Sequence, residues 1–209
     1  MKVSCDKEGI ETAVKSIRNG GVVVFPTDTV YGLGCDPYNS KAIEKIYKIK
    51  KRESSKLFPI LAYSKKELAD IVVFDEKSNK IAEKFWPGQV TLVLEIKDEK
   101  IKKSMNAQGK IAVRVPNNSC ALALLKECKL LVGTSANISG MHSFTEPDDC
   151  LENISGYDIF VDGGTITGSG ESTIVEVDDG KLAIHREGAV SETEIMKLFE
   201  SNCNMFKKF

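Results

Sequence analysis

The run Val22-Val23-Val24-Phe25 constrains this chain more than any other stretch. Four consecutive apolar residues between Gly20-Gly21 and Pro26 have no polar face to show to water, so a strand made of them must be covered on both sides. The flanking segments can supply the cover. From Glu8 to Asn19, Ile10, Ala13, Val14 and Ile17 fall on one helical face, and the pattern stops at Gly20-Gly21. From about Ser40 to Ile49, Ala42, Ile43, Ile46 and Tyr47 form a second apolar stripe. Buried strands between amphipathic helices define the α/β class.

The alternation continues along the chain. Leu57 to Ala62 reads as a buried strand interrupted by Pro59, and Ser64 with Glu67 forms a capping box for a short helix. Lys77 to Phe85 is helical until Trp86-Pro87-Gly88 breaks it, and Val90 to Ile96 is rich in strand formers. Ile111 to Val115 is a strand stopped by Pro116, Ser119 to Cys128 a helix, and Leu130 to Val132 a strand. Phe160-Val161, Ile174 to Val177 and Leu182 to Ile184 are further strands, the last two joined through an Asp179-Gly180 hairpin turn. Ser191 and Glu194 cap a last helix reaching about Glu200. No repeat or linker divides the chain, so the expected fold is a single domain over 1–209, with a twisted mixed β-sheet flanked by helices and a loosely held tail at 201–209.

Charge and cysteine usage narrow the function classes. The 29 Lys and Arg against 30 Asp and Glu give a net charge of −1, which argues against a protein relying on bulk attraction to nucleic acid or anionic membrane while permitting a local basic site. Met1 to Ile10 holds no apolar run, and the longest runs, such as Val22–Phe25 and Ala121–Leu125, are too short to span a bilayer. The six cysteines form no C-x-x-C pair, and only His142 and His185 are available to join them around a metal. Scattered thiols are therefore expected, without a zinc site or disulfide framework, in a cytoplasmic chain.

Three polar clusters stand apart from the packing pattern. Pro26-Thr27-Asp28-Thr29-Val30-Tyr31-Gly32-Leu33-Gly34 follows a buried strand, where open α/β sheets bind ligands, and a capped turn built on Asp28 reads equally well. Lys48, Lys50, Lys51, Arg52 and Lys56 end a helix, as a solvated complement to its dipole or as a reach toward phosphates. Gly133-Thr134-Ser135-Ala136-Asn137-Ile138-Ser139-Gly140, and the similar Gly168-Ser169-Gly170-Glu171-Ser172-Thr173, are polar loops or anion-binding nests. No P-loop or G-x-G-x-x-G pattern is present.

Taken in order, the motifs resemble the YrdC-type family of threonylcarbamoyl-AMP synthases in its short, single-domain form. They are PTDTVYGLG at 26–34, Lys50-Lys51-Arg52 with Lys56, FWPGQVTLVL at 85–94, AVRVP at 112–116, SAN-x-SG at 135–140, and GSGESTIVEV followed by HREG at 168–188. The likeness covers about residues 10–190. It implies a YrdC-like fold with an open ligand cavity, and a nucleotidyltransferase that joins L-threonine, bicarbonate or CO2, and ATP into L-threonylcarbamoyl-adenylate, releasing pyrophosphate. A downstream tRNA threonylcarbamoyl transferase complex would use the product to make N6-threonylcarbamoyladenosine. The resemblance implies L-threonine contacts at Thr29, Arg114, Ser135 and Ser172, and ATP contacts at Arg52, Lys56, Lys110, Asn137, Thr145 and Arg186, with Lys50 and Arg52 as the catalytic cations. Mg²⁺ is expected with ATP through its phosphates, with no metal held by the protein alone and no organic cofactor.

Three positions depart from the family pattern. Glu53 follows Arg52 where proline is common, Lys110 replaces a small hydroxyl residue, and Met141-His142-Ser143-Phe144-Thr145 lacks the usual proline pair. The competing reading is a double-stranded RNA or tRNA-binding module using Lys48, Lys50, Lys51, Arg52, Lys56, Lys65 and Lys66, without any RRM, KH or dsRBD pattern in its support. A carbamoyl-transfer module of the kind found in larger hydrogenase-maturation proteins is a third.

Overall fold

Ten strands form one mixed sheet in the order β1-β8-β2-β3-β7-β4-β6-β5-β9-β10. The computed structural model describes residues 1–168, 170–178 and 181–200. The strands are β1 (Lys2–Ser4), β2 (Val23–Pro26), β3 (Tyr31–Cys35), β4 (Ile60–Ala62), β5 (Val90–Glu95), β6 (Lys110–Arg114), β7 (Leu130–Ser135), β8 (Ile159–Asp162), β9 (Thr173–Asp178) and β10 (Lys181–Arg186). The helices are α1 (Lys7–Arg18), α2 (Ser40–Lys50), α3 (Lys65–Ala69), α4 (Glu76–Phe85), α5 (Glu99–Met105), α6 (Ser119–Cys128), α7 (Pro147–Asn153) and α8 (Glu192–Glu200). Four pairs are parallel (β1/β8, β2/β8, β4/β6, β5/β9) and the others antiparallel, including the β9/β10 hairpin expected from the sequence. Its Asp179-Gly180 turn lies outside the described residues, as do Ser169 and the tail 201–209.

The two-residue side-chain period of a strand divides the core into two layers. Val22 and Val24 join Leu33, Ile60, Val113 and Val132 on one face, under α2, α4, α5 and α8. Val23 and Phe25 join Leu61, Leu131, Ile159 and Val161 on the other, under α1 and α6. The unbroken apolar run thus serves both faces, and each fully buried aliphatic side chain contributes roughly 1.5–3 kcal/mol.

The second face is only partly roofed. Phe25 pairs with Gly32, Gly32 with Ser135, Leu61 with Leu131 and Arg114, and β5 carries the face on to β9, where Thr91 meets Ile174. Helices α1 and α6 cover the β8–β2–β7 half. The other half carries Gly133, Arg114, Thr91 and Ile174, which line an open cavity.

Several local expectations change. The PTDTVYGLG motif is a turn at 27–30 followed by strand β3, because Gly32 and Gly34 let neighbouring side chains lie across it. The strand expected at Leu57–Ala62 begins only at Ile60, since Pro59 has no N–H for the ladder. The elements β1, α5 and α7 were not expected from the sequence. The reading of all cysteines as scattered thiols is also corrected. Cys5 and Cys120 are disulfide-bonded with Cα atoms 5.9 Å apart, because α6 packs against α1 beside the end of β1 and brings together residues separated by 115 positions. Cys35, Cys128 and Cys150 are free, and Cys203 lies outside the described residues.

Candidate active site

The cavity of about 460 Å³ lies over the uncovered half of the sheet, within the size range of small-molecule clefts. Alternate residues of adjacent strands make its floor, namely Gly32, Gly133, Ser135, Leu61, Ala112, Arg114, Thr91 and Ile174. Gly133 is required there, because a Cβ at this position would lie 2.4 Å from the Leu61 side chain. Four cations, Lys50, Arg52, Arg114 and Arg186, line the wall together with Glu171.

The turn after β2 is a closed hydroxyl network. Thr27 Oγ1 donates to the Val30 carbonyl at 2.7 Å, accepts from the Thr29 and Val30 amides at 3.2 Å each, and lies 2.9 Å from Thr29 Oγ1. The Asn118 side chain caps α6 and donates to the Thr27 carbonyl at 3.2 Å, which seats the turn on the helix. Arg114, 5% exposed, sends Nε to the Gly88 carbonyl (2.9 Å), Nη1 to Thr29 Oγ1 (3.2 Å) and Nη2 to Asp28 Oδ1. Burial lowers its pKa from the ordinary arginine value, and the adjacent Asp28 opposes that shift. Arg114 and Asp28 therefore form an internal ion pair.

Lys50 is the largest departure from a solvated helix end. It is 1% exposed, and its Nζ donates to the Ser135 carbonyl (2.5 Å), the Asn137 carbonyl (2.9 Å) and Asn137 Oδ1 (2.9 Å). Its ammonium group thus holds the SAN segment in place, with all three N–H groups used. Burial first, then the neighbouring Arg52, lowers its pKa to about 8. Lys51 closes α2 in the left-handed conformation (φ 48°), and the Arg52 amide returns to the Tyr47 carbonyl. Arg52 lies over the Phe58 ring, 5.2 Å from its centroid, and donates Nε to the Lys56 carbonyl and Nη2 to the Leu57 carbonyl. No protein bond is made by its Nη1 among the described residues.

The opposite wall is built from β9 and β10. Ser172 Oγ lies 2.8 Å from Thr91 Oγ1, and Arg186 donates Nε and Nη2 to the Ser172 carbonyl at 3.1 and 2.8 Å. Arg186 Nη1 pairs with Glu171, whose other oxygen accepts from Ser143 Oγ at 2.7 Å. Glu171 and Thr91 are the site residues that sequence reasoning left without a role. A lone threonine in the apolar strand VTLVLE was the available signal for the second.

Of the residues singled out from the sequence, Thr29, Lys50, Arg52, Arg114, Ser135, Asn137, Ser172 and Arg186 share this cavity. Lys110, Lys56 and Thr145 are not on its wall. Lys110 lies on the same face as Ala112 and Arg114 but one step further out, where it pairs with Glu176 (2.6 Å) and Asp178 (3.1 Å). Lys56 is exposed just past α2, and Thr145 is half-buried, its carbonyl bonded to the Ile166 amide. Among the described residues, no helix is long and apolar enough to cross a membrane.

Fold and site together define a class of mixed α/β proteins with a cationic, hydroxyl-lined cleft on a half-roofed sheet. The chain belongs to the Sua5/YciO/YrdC family, whose model, described as telomere recombination, matches residues 15–188. A Methanocaldococcus jannaschii protein provisionally named threonylcarbamoyl-AMP synthase is 34% identical over 187 residues, covering 88% of this chain and 87% of the relative. The threonylcarbamoyl-AMP synthase of Bacillus subtilis is 34% identical over 199 residues, and the match spans 93% of this chain but only 57% of that longer protein. Among solved structures, Pyrococcus abyssi Sua5 complexed with L-threonine superposes with a TM-score of 0.89 at 30% identity, covering 95% of this chain and 60% of that one. Escherichia coli YciO gives 0.83 at 25% identity, covering 95% of this chain and 98% of its own.

Proposed function

We propose that this chain is a threonylcarbamoyl-AMP synthase, an ATP-dependent nucleotidyltransferase acting on L-threonine and bicarbonate or CO2. The reading is carried by one observation, the meeting of a small-hydroxyl corner around Arg114 with a cationic wall of Arg52 and Arg186 in a single cavity. A relative sharing this fold has been solved with L-threonine. Arg114, Thr29, Ser135 and Ser172 would hold the amino acid, since a carboxylate suits a guanidinium and a hydroxyl suits small polar partners. Arg52, Asn137 and Arg186 would hold ATP from the other side, with Lys56, Lys110 and Thr145 able to contribute only from beyond the cavity wall.

The chemistry asks for positioning and charge rather than a protein nucleophile. A threonine carbamate oxygen attacks the α-phosphorus, the bond from that phosphorus to the α,β-bridging oxygen breaks, and pyrophosphate leaves. Bringing two anions together is the main barrier that cations on the wall lower. Lys50 contributes through its field and by fixing the Ser135–Asn137 backbone. The donor set of four cations and one carboxylate suits phosphates better than a bare metal, so Mg²⁺ would enter bound to ATP and screen its charge. A cytoplasmic location and a downstream tRNA threonylcarbamoyl transferase follow from this activity.

Incubation with ATP, Mg²⁺, bicarbonate and L-threonine should release pyrophosphate, and omission of threonine should abolish it. Release that does not depend on threonine, or none at all, rejects the reading. The RNA-binding alternative draws no support from the site, because Lys50 is buried and bonded within the protein.

A further inference from the structure

The Cys5–Cys120 bond lies under the roofed half of the sheet, outside the cavity, yet it is tied to the frame of the site. Cys120 is the second residue of α6, and its amide and that of Ala121 each donate to Asn118 Oδ1 at 3.0 Å. The same Asn118 side chain donates Nδ2 to the Thr27 carbonyl at 3.2 Å, and Thr27 closes the turn that presents Thr29 to the cavity. One carboxamide thus joins the disulfide-bearing end of α6 to the turn at 27–30. The other sulfur belongs to Cys5, between β1 and α1, whose amide is held by the Asp162 carbonyl at 2.8 Å. The bond therefore clips the first turn of α6 to the β1–β8 edge of the sheet.

The two sulfurs differ in access. Cys120 is 3% exposed, whereas Cys5 is half-buried and lines a groove of about 820 Å³ between α1 and α6, beside Ile10, Val14 and Ala123. A thiolate arriving through the groove meets Cys5, and the sulfur it displaces is Cys120, where the helix N-terminus favours a thiolate. The free thiols among the described residues are poor partners for exchange. Burial pushes Cys35, Cys128 and Cys150 up, to about 11 for Cys128 and about 12 for Cys150. Cys128 also lies about 12 Å from Cys120 along the axis of α6, too far to bond with it.

We infer that the Cys5–Cys120 bond is a redox clasp on the site, opened through Cys5 by a dithiol reductant, and that the opened protein holds the turn at 27–30 more loosely. One thiolate of the dithiol attacks Cys5 Sγ, a mixed disulfide forms, and Cys120 leaves as a thiolate. The second thiol of the reductant then attacks its own sulfur in the mixed disulfide, Cys5 leaves, and the reductant departs as an intramolecular disulfide. Two electrons and two protons pass from the dithiol to the protein. Unbonded sulfurs stand much further apart than bonded ones, and dense packing around Cys120 makes the first turn of α6 take up the difference. Asn118 passes that shift to the Thr27 carbonyl. The effect on turnover rests on the proposed function, and the effect on the turn does not.

The test treats the native wild-type protein with dithiothreitol. Two thiols per chain should appear, at a rate that rises in proportion to dithiol concentration, because the groove admits the attack without unfolding. Hydrogen exchange read by mass spectrometry should then show peptides over 27–30 and 118–122 exchanging roughly tenfold faster, with α4 peptides unchanged. Threonine-dependent pyrophosphate release should fall at least threefold and return on reoxidation with diamide. Cys5→Ser should show the reduced pattern from the start and ignore dithiothreitol. An opening rate independent of dithiol concentration, loss of the folded state on reduction, or unchanged exchange at 27–30 makes the bond a plain brace and overturns the inference. So does an active enzyme whose turnover ignores reduction, or a response that persists in Cys5→Ser. If Cys5→Ser does not fold, the reduced wild-type protein decides alone. Absence of pyrophosphate release in both redox states rejects the synthase reading and leaves the clasp to be decided by exchange.

Discussion

Gly168→Ala probes how closely the β8–β9 loop is seated on the turn at 27–30. A Cβ at Gly168 would lie 2.5 Å from the Asp28 carbonyl oxygen and 3.2 Å from Thr29 Cα and Thr29 O. Ordinary contact begins at 3.4 Å, so about 0.9 Å of overlap must be absorbed by one side or the other. The turn has little freedom to yield, because the Asp28 carbonyl is held by Gln89 Nε2 at 2.8 Å and Thr29 is held by Thr27 and Arg114. Overpacking of this kind costs about 1–3 kcal/mol, which for a chain of this size lowers the melting temperature by roughly 2–12 °C. Displacement of reactive groups by about 1 Å costs on the order of a hundredfold in rate, so threonine-dependent pyrophosphate release should fall much further than stability suggests. Gly164→Ala is the control. Its φ of +76° makes the backbone strained for alanine, yet nothing lies within 4 Å, so stability should drop while turnover per folded molecule is kept. A Gly168→Ala protein with the melting temperature and turnover of the parent would refute this account of the loop.

Arg52→Ala should weaken ATP binding roughly ten- to a hundredfold, through loss of a charge-assisted phosphate contact, and leave threonine binding in the absence of nucleotide nearly intact. Titration calorimetry that finds ATP affinity unchanged would return Arg52 to a packing role over Phe58. Arg114→Lys keeps the charge and loses the fork, so the threonine KM should rise markedly with ATP affinity unaltered. Steady-state kinetics on the mutant, with valine and serine as competing substrates, tests this, and valine should be rejected more strongly than serine because hydroxyl partners would be left unpaired. Lys50 predicts a pH effect on stability. Its pKa is lowered from 10.5 to about 8 on folding, so the unfolded chain binds the proton more tightly, and the contribution to stability is fully present above about 10.5 and lost as pH falls through about 8. Lys50→Met should remove this slope, on the order of 2–3 kcal/mol across the window, in urea midpoints measured between pH 7.5 and 10. A wild-type minus mutant difference that stays flat over that range contradicts the assignment.

Much of the architecture is carried by local pattern, and a single sequence was enough to read it. Apolar spacing near 3.6 marked α1, α2 and α6, and an unbroken run marked β2, because each period aims its side chains at one or both faces whatever the rest of the chain does. Arg114 stood out as a cation within the apolar run Ile111 to Val115. Tertiary structure alone decided what these elements meet. The pairing of Gly32 with Ser135 and of Leu61 with Arg114, the half-roofed second face, and the bond between Cys5 and Cys120 all join residues far apart in the chain, and no periodicity encodes them. Lys50 is the clearest case. A lysine in the last turn of a helix reads as solvated, since its charge is costly to bury alone. What buries it here is three acceptor oxygens at Ser135 and Asn137, 85 and 87 positions along the chain, which only the folded sheet brings to its ammonium.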